Sequence, residues 1–208
     1  MNPILIETQF LPSLEFFCAI KDAPEIQLEY HEHFVKQSFR NHAIINTANG
    51  IEKLTVPLTS KGNRTLIKDV KIDVGTNWMN NQWRTIESAY RKSPYYEHYA
   101  DDLNKTLFKP HTFLVELNLA LLLFCFEMLY WEKNITFTTA YQAEPFKQVD
   151  RRNTILSKKP FSLRPFYKPV VYPQVFGNKF HGNLSLLDLI FCQGPMANSV
   201  LSASCPNL

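Results

Sequence analysis

The six glycines of this chain stand alone, at Gly50, Gly62, Gly75, Gly177, Gly182 and Gly194, and no two of them form G-x-G. Backbone approaches a pyrophosphate closely only where a side chain is missing, so a dinucleotide-binding fingerprint and a P-loop both need clustered glycines. Neither pattern occurs, and the G-x-S-x-G nucleophile elbow is missing as well. Six glycines in 208 residues is about 3%, under half of the roughly 7% usual in proteins. Any phosphate bound here must therefore be held mainly by side chains.

A chain of 208 residues, 45% apolar and 20% charged, is long enough for one sizeable core and is expected to form a single domain over 1–208. Cys18, Cys125, Cys192 and Cys205 are widely spaced with no C-x-x-C. Glu7 interrupts the only apolar run near the start, and no basic region precedes it. The expectation is four reduced thiols in a cytoplasmic protein. The run from Thr112 to Trp131 approaches the roughly 20 residues that span a bilayer. Glu116 and Glu127, eleven residues apart, fall about 20° apart on one helical face, which predicts a buried core helix with a narrow wet stripe rather than a membrane span.

PILIETQF reads as a buried strand, LPSLEFFCAI as a helix and EIQLEY as a second strand. Asn49-Gly50 between two apolar runs marks a hairpin, and VKIDV reads as a further strand after a polar turn around Lys61 to Arg64. Helices follow: WMNNQWRTIESAY capped by Asn77, SPYYEHYADDLNKTLF with Pro94 near its first turn, and the long apolar segment. ITFTTAY is a strand by its β-branched and aromatic content. Five prolines between Glu144 and Gln174 predict an irregular segment covering the sheet or a site, and LSLLDLIF is a short helix ended by Gly194-Pro195. Early strands and later helices predict an α+β or mixed α/β fold, an N-terminal mixed sheet with a β-hairpin and a helical half packed on it.

Four features carry candidate chemistry. His31 and His33, on one side of an extended strand, offer two metal ligands without an evident third. His31, with Glu32 beside it, also suits acid–base work near neutral pH. Lys36, Gln37, Ser38, Arg40 and Asn41 crowd a polar stretch with donors for phosphate, carboxylate or sugar hydroxyls, or simply form a solvated connection. Arg84 and Ser88 share a helix face with the stabilising Glu87–Arg91 pair. Finally, seven basic residues between Lys147 and Lys168, including Arg151 and Arg152, stand against one acid, Asp150, so this segment carries about +6 while the whole chain carries +3. Aromatic neighbours would allow nucleic-acid stacking, but the small global charge argues for a phosphorylated small molecule, an acidic carrier protein or plain solvent instead.

The blocks HEHFVKQSFRNHAIINTANGIEKLTVPL, NQWRTIESAYRKSPYYEHYADDL and VYPQVFGNKFHGNLSLLDLIFCQGP, together with IKDVKID, resemble the WbqC-like proteins, from about Thr8 to Pro195. The resemblance implies a cytoplasmic bacterial protein of lipopolysaccharide O-antigen and other surface-polysaccharide biosynthesis. It carries over His31, Lys36, Gln37, Ser38, Arg40 and Asn41, then Trp83, Arg84, Glu87, Ser88 and Tyr90, and finally Asn183 and Asp188. Cys192 departs from the usual Asn and Gly182 from the usual Pro.

Two expectations follow. One is a transferase acting on an amino sugar or on an activated acyl or aminoacyl donor, with His31 as base, Lys36 and Arg40 on an anionic group and the basic segment on a nucleotide or phosphopantetheine moiety. The other is a non-catalytic protein that binds a small molecule or partner in the same pathway. Neither a nucleic-acid partner nor a membrane span is expected, no metal is assigned, and the cofactor or donor stays open.

Overall fold

The computed structural model of the protein describes residues 2–59, 64–177 and 179–206. Four strands, β1 (Ile4–Glu7), β2 (Glu25–Glu29), β5 (Asn134–Phe137) and β6 (Val149–Asp150), form one sheet in the order β5-β2-β1-β6. All three pairings are parallel. The hairpin β3 (His42–Thr47) and β4 (Gly50–Thr55) is a separate antiparallel pair, its turn closed by Gly50 at φ 98°. The class is α+β, as the order of strands and helices predicts, but the sheet is completed by strands from the second half of the chain.

Alternation decides which face of the sheet is buried. Parallel neighbours in register point the same way, so Ile4, Ile6, Ile26 and Leu28 share one face and are buried in the main core. That core takes in α1 (Leu14–Ile20) and α4 (Leu114–Leu129), with Phe17 edge-on to Phe126 and Trp131. Helix α4 is the predicted core helix: Glu116 and Glu127 are exposed along its wet side, while Leu117, Leu121 and Leu129 are buried. No helix among the described residues is long and apolar enough to cross a membrane. Helix α3 (Tyr96–Phe108) packs beside α4, α2 (Trp78–Tyr90) packs against α3 and β3, and α5 (Leu186–Gln193) turns at Gly194 into α6 (Ala197–Ser204).

Three expectations are corrected. VKIDV is no strand: residues 67–69 make a tight 3-10 turn, and Lys71 and Ile72 form only single bridges to Phe113 and Leu58. The preceding polar turn falls mostly on residues 60–63, outside the described residues. Asn77 occupies the start of α2, but its side chain accepts from Asn80 instead of capping the helix. Finally, Cys18 and Cys205 are joined in a disulfide with their Cα atoms 5.0 Å apart, leaving Cys125 and Cys192 as the free thiols. A separation of 187 residues hides that proximity from the sequence.

Candidate functional site at the carboxyl edge of the sheet

Parallel sheets normally have both faces covered by apolar packing. Here the second face is polar. Glu7, Glu29 and Thr138 continue the rows that run through Leu5, Gln27, Thr136 and Asp150, and Gln148 Nε2 donates to Gln27 Oε1 at 2.6 Å. The strand order also reverses between β1 and β6, because β2 and β5 add on the other side of β1. Open parallel sheets bind ligands outside the carboxyl ends of their strands at such a reversal. The loop leaving β1 has no glycine, and Leu11 within it holds a left-handed φ of 42°, backbone strain of the kind concentrated at functional sites.

Four carboxylates and two guanidinium groups meet at this edge. Arg152 donates to Glu29 Oε2 at 2.8 Å and to Asp150 at 2.7 and 3.0 Å. Arg40, 2% exposed, grips Glu32 through two parallel bonds of 2.6 and 2.7 Å and reaches Asn153 Oδ1 at 2.9 Å. Glu7 accepts from the Asn153 backbone N–H at 2.9 Å and from Gln9, whose own buried Oε1 has no partner among the described residues. Burial raises the Glu32 pKa, Arg40 opposes this, and Glu7 and Glu29 add to the rise. With the Lys68 ammonium beside His31, four carboxylates face three cations, so the edge keeps an excess of one carboxylate and favours a cationic or hydroxyl-bearing guest over an anion.

His31 lies half-buried at the same edge. Lys68 Nζ is 3.1 Å from its Nε2, and Thr138 Oγ1 is 3.3 Å from its Nδ1. An ammonium has no lone pair, so Nε2 accepts and the ring proton is assigned to Nδ1. Thr138 passes the chain on, donating to Glu29 Oε1 at 2.6 Å. Beside this chain a cavity of about 150 Å³ is lined by Gln27, Glu29, Thr138, Thr139, Gln142 and Gln148. An apolar cavity of comparable volume holds one benzene ring; this one offers amide, hydroxyl and carboxylate groups to a ring of similar size.

The structure thus brings together His31, Glu32, Arg40 and Arg152 of the sequence-derived candidates. Arg40 and Arg152 do so as buried partners of carboxylates, not as free anion hooks. Lys36 and Gln37 are exposed; Ser38 donates to the Val35 carbonyl and Asn41 to that of Val56, so both brace their loop. The shared-metal arrangement of His31 and His33 does not form, because β2 ends at Glu29, the His31 ring is engaged and His33 forms a bridge to Leu66. Arg84 and Ser88 are exposed on α2, away from these contacts. Of the basic segment, Arg151 lies over the Phe166 ring and Arg164 pairs with buried Glu15 at 2.5 and 2.6 Å, so much of its charge faces inward.

The third block is structural in its contacts. Asn183 Oδ1 accepts from the Glu15 N–H at the start of α1, and Asp188 accepts from Tyr172 at 2.7 Å and Gln174 at 2.8 Å. Burial raises the Asp188 pKa against those bonds. Residues absent from the sequence reading but present at the edge are Glu7, Gln9, Glu29, Asn118, Thr138 and Asn153. Asn118, on the otherwise apolar α4, donates to the Arg40 carbonyl at 2.8 Å and to Thr8 at 3.2 Å. A buried-helix pattern broken by one Asn was the available signal for it.

Comparison with known proteins agrees with the resemblance seen in the sequence. No solved structure matches the chain. The uncharacterized protein Rv1507c of Mycobacterium tuberculosis is 30% identical over 120 residues, 57% of this chain. That alignment covers 52% of the relative, so the chain spans about half the length of the curated protein it matches. The model of the WbqC-like protein family matches residues 8–160, which include β2, β5, β6 and every charged residue of the acidic edge except Glu7 at the end of β1, and the chain belongs to that family.

Proposed function

We propose that the chain, acting as one domain over 1–208, binds an amino sugar at the carboxyl edge of its parallel sheet and transfers an acyl or aminoacyl group to it in surface-polysaccharide (O-antigen) assembly. The observation that carries this reading is the ring-sized polar cavity set on an excess of carboxylates. A sugar presents hydroxyls in a ring to amides and hydroxyls, and its ammonium is attracted by Glu29 and its acidic neighbours. His31 is the base: the substrate ammonium displaces Lys68 from Nε2 and gives one proton to the imidazole, the freed amine nitrogen bonds to the acyl carbon, and the donor's leaving group departs with the bonding pair and takes the second nitrogen proton. Thr138 and Glu29 hold the ring and stabilise the imidazolium that forms. The reading places the protein in the cytoplasm; the Cys18–Cys205 bridge is the observation that pulls the other way.

The engagement of His31 Nε2 by Lys68 favours a second reading, a protein of the same pathway that binds the sugar without turning it over. Calorimetric titration with glucosamine and glucose tests the shared part. Glucosamine is expected to bind at least tenfold tighter, and Gln27→Ala and Gln148→Ala are each expected to weaken it severalfold. Equal affinity for the two sugars, or no binding, ends both readings. Transfer from an acyl or aminoacyl donor that is lost in His31→Ala, with binding retained, selects the transferase; binding with no turnover selects the second reading.

A further inference from the structure

A second, more apolar cavity lies away from the acidic edge and has the opposite chemistry. It encloses about 510 Å³ between the N-terminal turn of α2, the C-terminal turn of α3 and the start of α4. Ile72, Trp78, Met79, Leu107, Phe108 and Leu117 line it. Its volume is in the range of sites that enclose a small ligand. Ile72, Leu107 and Leu117 are buried at its base while Val74, Pro110 and Thr112 are exposed, so it is an apolar cleft open to solvent on one side.

Two observations define the chemistry of an occupant. Lys71, Lys109 and His111 also line the cavity, and Lys71 and Lys109 are exposed, the Lys71 ammonium lying 5.8 Å from the centre of the neighbouring Phe113 ring, so cationic side chains border a cleft whose base is hydrocarbon. Trp78 is 7% exposed, and its buried indole N–H has no acceptor among the described residues. An apolar interior, a cationic rim and one spare donor complement a molecule with an aliphatic tail and an anionic head.

We propose that this cavity binds an amphipathic anion, its alkyl or acyl tail against Trp78, Met79 and Leu117 and its carboxylate or phosphate head on Lys71, Lys109 and His111. The segment that forms the cavity wall also reaches the acidic edge: Lys68, three residues before Lys71, contacts His31. The proposal does not rest on the sugar reading. Each has its own probe, and either can fail alone.

Titration calorimetry with dodecanoate, dodecyl phosphate and dodecanol, each below its micellar concentration, tests the proposal. Saturable binding at one site is expected, with at least one anion binding tenfold or more tighter than dodecanol. Preference for dodecanoate or for dodecyl phosphate identifies the head group. Lys71→Ala and Lys109→Ala are each expected to weaken the anion roughly threefold while leaving dodecanol unchanged, the size expected for exposed charge contacts. Met79→Trp, which fills the cavity, is expected to remove binding of all three. Its folding is checked by thermal melting, and the two lysine variants carry the test if it does not fold. No saturable binding, equal affinity for dodecanol and the anions, or indifference to the lysine variants overturns the proposal.

Discussion

The two faces of the parallel sheet differ in what makes them stable. On one, Ile4, Ile6, Ile26 and Leu28 are buried against hydrocarbon and need no specific partner. On the other, Glu7 and Glu29 are equally inaccessible at 1% and 0% exposure, yet each depends on particular donors. Burial is the same and the consequence is opposite. An apolar face tolerates any side chain of suitable volume, whereas a paired polar face fails when one partner is lost. A chain keeps so demanding an arrangement where chemistry needs it, which is why the polar face is the candidate site.

The largest predicted effect breaks that pairing. Arg40→Ala leaves Glu32 buried without its guanidinium and also removes the bond to Asn153, so a loss of about 3–5 kcal/mol is expected. The double variant Glu32→Leu with Arg40→Met removes both charges at similar volume and is expected to recover most of the loss. Urea unfolding of the three proteins measures both values. If Arg40→Ala costs under about 1 kcal/mol, a surface-like contribution, the edge is solvated and the contrast between the faces is wrong.

Next in size is the contrast within one strand. Leu28→Ala is expected to cost about 2–4 kcal/mol by opening a cavity in the core. Gln27→Ala, one residue away on the other face, loses the single bond from Gln148 and should cost about 1 kcal/mol. The two midpoints in urea, at unchanged slope, sharpen the assignment of faces. Equal costs would mean that both faces are core.

Much of this alternation is legible in the chain. Glu25-Ile26-Gln27-Leu28-Glu29 and Ile135-Thr136-Phe137-Thr138 each carry one polar and one apolar side, and both became strands. What alternation does not carry is pairing. Val149 and Asp150 make a two-residue strand inside a proline-rich stretch because β1 offers them an edge 145 residues earlier in the chain. VKIDV alternates as well, but its backbone bonds are divided between Pro57 and Thr59 on one side and Thr112 and Leu114 on the other, so only single bridges form. Arg40 looked like a hook for an anion because nothing in the sequence tells a free guanidinium from one whose partner, Glu32, sits eight residues back.

The last predicted effect sets paired charge against an unpaired titratable group. His42, at the start of β3, is 4% exposed and packs beside Phe39, with ring centroids 5.2 Å apart. Burial, with a smaller contribution from the nearby Lys53 charge, lowers its pKa from 6.5 to about 4. Unlike Arg40 and Arg152, it gains no carboxylate partner when it becomes charged. Above pH 6.5 the imidazole is neutral in both folded and unfolded chains and adds no pH dependence. Between pH 6.5 and about 4 the unfolded chain binds a proton that the folded chain refuses, so stability falls as pH falls through this window. The total loss is at most about 3 kcal/mol, and solvent reaching the ring reduces it. His42→Gln should flatten this part of the stability profile relative to the parent protein, in a series of urea titrations from pH 7 to pH 4. An unchanged slope would assign the acid sensitivity to the carboxylate edge, and the paired groups there would then be the pH-responsive part of the fold.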